Sequence, residues 1–154
     1  MIRKACEGDV SRIIDLLHQV NMVHHAIRPD LFKPDTTKYD EHQLKTMLAC
    51  QYNPIFVYDD GGVAGYAFCQ VVEVEDDRLR QDIKTLHIDD LCVDENARGQ
   101  HIGKALFDYV REYARSIGCR NITLDVWAGN DAAAAFYRNM GMGEQHTCME
   151  LILK

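Results

Sequence analysis

VDENARGQHIGKALF, residues 93 to 107, is the stretch whose reading decides the fold. An apolar run ends at Val93, a polar turn follows, and a helical pattern opens at Ile102. Gly99 and Gly103 stand either side of the helix start, and Lys104 lies in its first turn. The first turn of a helix leaves backbone N–H groups without intrahelical partners, and they coincide with the positive end of the helix dipole. Glycine lets a bulky phosphate approach the backbone closely, and Arg98 adds a charged fork that matches phosphate oxygens. Together these predict an anion site suited to a pyrophosphate. The segment is not a P-loop: Gly99 and Gly103 are too close together, and Ala105 stands where Ser or Thr belongs. Nor is it the dinucleotide GxGxxG. Taken alone, it fits an ordinary strand-to-helix turn, with Gly103 relieving packing, equally well.

Outward from this turn the pattern alternates between strands and helices. Upstream, TLHIDDLCV (85–93) reads as a strand, preceded by a polar connection over 76–84. VAGYAFCQVVEVE (63–75) and IFVY (55–58) read as strands joined by DDGG (59–62), a strong hairpin signal. Residues 2–6 form a short strand. Asp9 is a plausible cap for a helix over 9–20, where Val10, Ile13, Ile14 and Leu17 share a face. Residues 39–50 look helical, and turns are expected around Pro29 and Pro34. Downstream, a helix runs from Ile102 to Ile117 and stops at Gly118. A strand over 121–127, a helix over 130–140 capped by Asn130 and ended by Gly141, and a final strand over 147–153 complete the chain. Hairpin-linked strands are antiparallel, and strands joined through a helix are parallel. The expected architecture is therefore α/β, a central mixed sheet flanked by helices, in one domain spanning 1–154.

The 154 residues suffice for one well-buried core. No apolar run approaches the roughly 18 residues that cross a bilayer. Asp9 and Asp15 interrupt the apolar pattern of the first twenty residues, so a signal peptide is not expected and a cytoplasmic protein is. The six cysteines are widely spaced without CxxC, which argues for buried free thiols over a metal site or a disulfide framework. A net charge of -7 argues against nucleic acid as a partner and requires any phosphate site to be built locally.

RGQHIG, residues 98–103, resembles motif A of the GCN5-related N-acetyltransferase (GNAT) superfamily, R/Q-x-x-G-x-G/A. Arg98 matches the first position and Gly103 the last, while His101 stands where the middle glycine is usual. DVWAGNDAAAAFYRNMGM (125–142) is similar to the family's next motif, a strand, an Asn, and a helix carrying Phe-Tyr before a closing Gly. The resemblance implies acetyl-CoA as cosubstrate, with no metal, bound where strands 85–93 and 121–127 splay apart. Backbone groups of Leu91, Cys92 and Val93 would hold the pantetheine arm like an added strand. Arg98, Gly99, Gln100, His101, Ile102, Gly103 and Lys104 would hold the pyrophosphate. Asn130 would bond the cofactor arm, although a plain helix N-cap explains it as well.

The implied reaction moves an acetyl group from a thioester to a primary amine. A base must take the ammonium's proton, and the departing thiolate benefits from one. The resemblance puts Tyr137 in the acid role, against the alternative that Phe136 and Tyr137 simply pack. HIDDLCV resembles the E-D-L-x-V pattern of polyamine-type members, which makes Asp89 the first candidate base. Asp90 is second, because period two turns it to the other side unless a bulge intervenes. Glu73 and Glu75 are third. The expected acceptor is a small, cationic amine of polyamine, aminoglycoside or amino-acid type. A protein N-terminal or lysine acetyltransferase is the alternative, and a non-catalytic CoA-binding regulatory module is an alternative of another class. The resemblance leaves oligomeric state open, sheet-edge homodimers being common in the family.

Overall fold

A computed structural model describes residues 1–154. Five strands form one sheet in chain order: β1 (Ile2–Lys4), β2 (Ile55–Asp59), β3 (Val63–Val74), β4 (Ile83–Val93) and β5 (Asn121–Leu124). The first four are mutually antiparallel, and β5 joins β4 in parallel. Four helices flank the sheet: α1 (Val10–Ile27), α2 (Glu41–Leu48), α3 (Ile102–Ser116) and α4 (Asp131–Asn139). This is the mixed sheet that the alternation of patterns predicts.

Strand alternation sorts the core into two layers. Ile55, Val57, Tyr66, Phe68 and Cys92 face α1 and α2, where Val10, Ile13, Leu16, Leu17 and Leu44 meet them. Phe56, Ala67, Cys69, Leu86 and Ile88 face the other way, onto Phe107, Val110 and Ala114 of α3. Full burial of such a side chain contributes about 1.5–3 kcal/mol, so both faces of the sheet are held by apolar packing. At Gly65 the approach is close: a Cβ there would lie 2.9 Å from the Cys92 carbonyl oxygen and 3.1 Å from Leu106.

Several expected boundaries move. α1 continues seven residues past 20 to Ile27, ending where Arg28 adopts a non-helical conformation ahead of Pro29 (φ -134°, ψ 72°). β5 stops at Leu124 instead of 127, because the chain there leaves β4. The final strand expected over 147–153 does not form: residues 143–154 have no regular structure and no backbone–backbone hydrogen bond. A strand-like sequence becomes a strand only by bonding to a neighbouring strand, and residues 143–154 make no such bond within the chain. The cysteines are all free, but only Cys69 and Cys92 are buried, while Cys6 and Cys148 are exposed. No helix is long and apolar enough to cross a membrane.

Candidate active site

The site begins where two parallel strands part. β4 pairs with β5 only from Thr85–Asn121 to Ile88–Leu124, then runs five residues further to Val93. Over Asp89–Val93 the edge of β4 that faced β5 carries unpaired backbone groups, while the other edge stays bonded to β3. Leu91, Cys92 and Val93 lie on this free length. The Cys92 side chain turns into the core, where burial pushes its thiol up to about 12, so its backbone alone reaches the gap.

β4 leads through the capped turn of Asp94 into the segment Arg98–Lys104. Asp94 accepts hydrogen bonds from the Asn96 backbone and Gln19, and pairs with Arg12. Beyond it, none of the backbone N–H groups from Arg98 to Lys104 is bonded within the protein; the first helical bond of α3 is Ala105 N–H to the His101 carbonyl, 3.0 Å. Gly99 has φ +80° and His101 φ +59°. The second value explains why glycine suits this position: His101 accepts a left-handed conformation that favours a residue without Cβ, and its side chain stands exposed to solvent. At Gly103 a Cβ would only touch Phe136 at 3.4 Å and Val93 at 3.6 Å, so a methyl group fits and a larger side chain would press on both. Arg98 is exposed and makes no ion pair. The Lys104 ammonium is held by Asp108 one turn on, leaving its backbone N–H for an anion. The turn is thus a cradle of donors at a helix start.

Asp89 and Asp90 lie beside the gap, and a bulge sets them. Phe68 pairs with Asp90 and Cys69 with Ile88, leaving Asp89 as the extra residue of β4. The extra residue breaks the alternation, so neighbouring carboxylates serve the same side of the sheet. Asp89 accepts from the Tyr39 hydroxyl at 2.8 Å and from the Lys38 ammonium at 2.9 Å. Asp90 accepts from the Tyr66 hydroxyl at 2.6 Å. Burial raises the Asp90 carboxyl to about 6, with the Tyr66 hydrogen bond and Lys38 offsetting part of the rise.

Tyr137 comes from the other face of the sheet, on α4. It packs against Phe107 and Phe136, and its hydroxyl makes no hydrogen bond within the protein. Burial raises its pKa, and the charge on Asp90 raises it further, so the two groups sense each other through the parted strands. Asn130 caps α4, its side-chain oxygen accepting from Ala133 N–H at 3.3 Å. That leaves its amide N–H groups free.

Glu73 and Glu75 are not part of this constellation. Glu73 pairs with Lys84, six residues before Asp90 on β4, about 20 Å away at the rise of a strand. The sequence pattern also missed several neighbours. Tyr66, Lys38 and Tyr39 become partners of the aspartates only through strand register and the α1–α2 connection. Phe32 and Trp127 meet edge-to-face with centroids 5.1 Å apart, forming a half-exposed aromatic wall after β5. The one signal that pointed there was Trp127, the last residue of the predicted strand over 121–127. No group of three or more His, Cys, Asp or Glu side chains is placed to hold a metal ion.

Comparison with known proteins identifies the family. The model of the Acetyltransferase (GNAT) family matches residues 20–142. The chain belongs to the GNAT acetyltransferase family. It is 32% identical over 74 residues to the glucosamine 6-phosphate N-acetyltransferase of Arabidopsis thaliana and 36% over 67 residues to that of Trypanosoma brucei brucei. These matches cover 48% and 44% of both partners, so the chain spans about half the length of the curated relatives it matches. Among solved structures, a mutant of the BH1408 protein from Bacillus halodurans superposes with TM-score 0.96 at 31% identity, over 100% of this chain and 99% of that one. An aminoglycoside acetyltransferase from an uncultured soil metagenomic sample shares the fold, with TM-score 0.74 at 22% identity over 100% of this chain and 96% of that one.

Proposed function

We propose that the protein, over the whole of residues 1–154, transfers an acetyl group from acetyl-CoA to a primary amine of a small molecule. The observation that carries this is the parting of β4 from β5 after Ile88, with free N–H groups from Arg98 to Lys104 at its mouth and Asp90 and Tyr137 on either side. The residues fit the cosubstrate: an unpaired strand edge at Leu91–Val93 suits the amides of a pantetheine arm, and the donor cradle with Arg98 suits a pyrophosphate. The free amide of Asn130 adds a donor to the arm.

In this reading Asp90 is the base. With both oxygens of Asp89 engaged by Lys38 and Tyr39, Asp90 has the carboxylate tuned toward neutral pH. Asp90 takes the proton of the bound ammonium, directly or through water. The amine nitrogen bonds the acetyl carbon as the carbon–sulfur bond breaks, Tyr137 donates its proton to the departing sulfur, and the second proton leaving the nitrogen returns to the Tyr137 oxygen through water. A raised pKa keeps Tyr137 protonated, as a donor must be.

Two carboxylates beside the gap support a cationic acceptor. Amino sugars have an added support within that class: two relatives are named for glucosamine 6-phosphate, and Trp127 with Phe32 offers an aromatic face to a sugar ring. The free thiols support a cytoplasmic site of action. The test is release of CoA thiol from acetyl-CoA with glucosamine 6-phosphate, aminoglycosides, polyamines, amino acids and peptides. Turnover with a small amine is the expected result. Turnover with peptides alone makes it a protein acetyltransferase, and CoA binding without thiol release from any amine makes it a binding module.

A further inference from the structure

Between α1 and α2 the chain crosses residues 28–40 without regular structure. The first part of this crossing is fixed to α1. His25 Nδ1 donates to the Phe32 carbonyl at 2.6 Å, and the Asn21 amide donates to the Lys33 carbonyl at 2.9 Å. Phe32 in turn reaches Trp127, past the end of β5. The last part is fixed to β4. The Lys38 ammonium and the Tyr39 hydroxyl take one oxygen each of Asp89, at 2.9 and 2.8 Å. These are the only hydrogen bonds from residues 28–40 to a strand. The crossing therefore straps the parted strands, from Trp127 beyond β5 to the bulge of β4, beside Asp90.

Asp89 is suited to hold that strap. It is the extra residue of the bulge, a place where a side chain is re-aimed out of the regular alternation. Both its oxygens are engaged by the strap. The Tyr39 ring, held by the same bond, stacks on Phe68 with centroids 5.6 Å apart, and Phe68 stands opposite Asp90 in register. An exposed ion pair alone contributes little. A charged bond, a hydroxyl bond and a stacked ring converging on one place fix a position.

We propose that Asp89 is a positioning residue, which docks the 28–40 strap on β4 and thereby sets the affinity for the acceptor amine. A strap bridging the strands beside Asp90 is a wall of the space that the amine enters, with Phe32 and Trp127 as its aromatic end. Released from Asp89, the wall no longer presents that surface, while Asp90, Tyr137 and the Arg98–Lys104 cradle keep their own supports. What the wall receives rests on the acetyl-transfer reading; the docking itself does not.

Trp127 is the only tryptophan, so its fluorescence reads the docking without turnover. Asp89→Ala and Tyr39→Phe are expected to shift its emission to the red and to increase its quenching by acrylamide, with far-UV circular dichroism unchanged. Glucosamine 6-phosphate, sisomicin and spermidine serve as acceptors. For those that turn over, the amine KM is expected to rise at least ~10-fold in Asp89→Ala, while kcat and the KM for acetyl-CoA stay at their wild-type values. A collapse of kcat at unchanged amine KM makes Asp89 the base and overturns the proposal. A raised amine KM with unchanged Trp127 emission also overturns it, since Asp89 then touches the amine itself. So does a shifted Trp127 with unchanged amine KM, or wild-type behaviour of both variants. Where Asp89→Ala loses its fold, Tyr39→Phe, which removes one hydroxyl, decides. Where the wild-type chain acetylates none of the three amines, it is the acetyl-transfer reading that fails, and the Trp127 emission alone upholds or overturns the docking.

Discussion

The Tyr66 hydroxyl, fully buried, donates a 2.6 Å hydrogen bond to Asp90, the carboxylate that burial raises to about 6. The two residues lie on adjacent strands in regular register, Tyr66 opposite Cys92 and Asp90 opposite Phe68, which puts both on the same side of the sheet. The bond orients the carboxylate without neutralising it. What remains is a carboxylate whose proton affinity suits the base of the proposed reaction.

As the proposed base, Asp90 is expected to set the acid limb of activity. A base works deprotonated, so kcat/KM is expected to fall tenfold per pH unit below about 6, the folded value. Asp90→Asn is expected to lower kcat by 10²–10⁴-fold. It is also expected to raise stability. A carboxyl raised from 3.8 to about 6 on folding binds its proton more tightly when folded, so it costs stability at high pH and none once protonated in both states. Asp90→Asn should therefore gain about 1–3 kcal/mol at pH 7 and lose that gain between pH 6 and 4. Urea denaturation across that range measures it. An equal effect at both ends contradicts the assignment.

Lys38 and Tyr39 act through Asp89. The Lys38 charge holds the Asp90 value down, and Lys38 neutralises Asp89 across a 2.9 Å pair. Lys38→Met is expected to move the acid limb of the rate profile to higher pH while leaving CoA affinity unchanged. A profile that stays in place means the pair is structural only.

Tyr137→Phe separates catalysis from binding. It keeps the packing against Phe107 and Phe136 and removes only the hydroxyl. Turnover is expected to drop by about 10²-fold or more, with CoA affinity by calorimetry within twofold. Full activity in this variant assigns Tyr137 to packing.

The anion cradle depends on backbone more than on side chains. Arg98→Ala is expected to weaken CoA about 10-fold, the scale of one charge-assisted contact in partly exposed surroundings, and to make affinity less sensitive to salt. Gly103→Val puts bulk against Phe136 and Val93 and is expected to lose binding together with about 1–3 kcal/mol of stability. Isothermal titration at two salt concentrations reads the first, and thermal unfolding the second.

Far from the site, Arg3 clamps Asp9 through two hydrogen bonds of 2.7 and 2.9 Å and also holds Asp59. The Arg3 guanidinium lowers the Asp9 carboxyl to about 2. A depressed carboxylate contributes stability above its unfolded value and loses it as pH falls through the folded one. About 2 kcal/mol is therefore expected to disappear between pH 4 and 2. Asp9→Asn should flatten that part of the curve and lower stability at pH 7.

What the sequence determined by itself is local and periodic. The hairpin at DDGG, the helix opening at Ile102, the stop at Gly118 and the cap at Asn130 follow from turn chemistry and side-chain spacing, which neighbours along the chain decide. The donor cradle at Arg98–Lys104 was legible for the same reason: free N–H groups belong to any helix start. The proposal of Asp90 over Asp89 as base rests on tertiary structure alone. Alternation by two favoured Asp89, but a bulge is an irregularity of pairing between strands, and it engaged Asp89 with Lys38 and Tyr39 while leaving Asp90 on Tyr66. The strand expected at 147–153 went unformed on the same principle. A strand sequence states a readiness to pair, and only the arrangement of the other strands says whether a partner lies within reach.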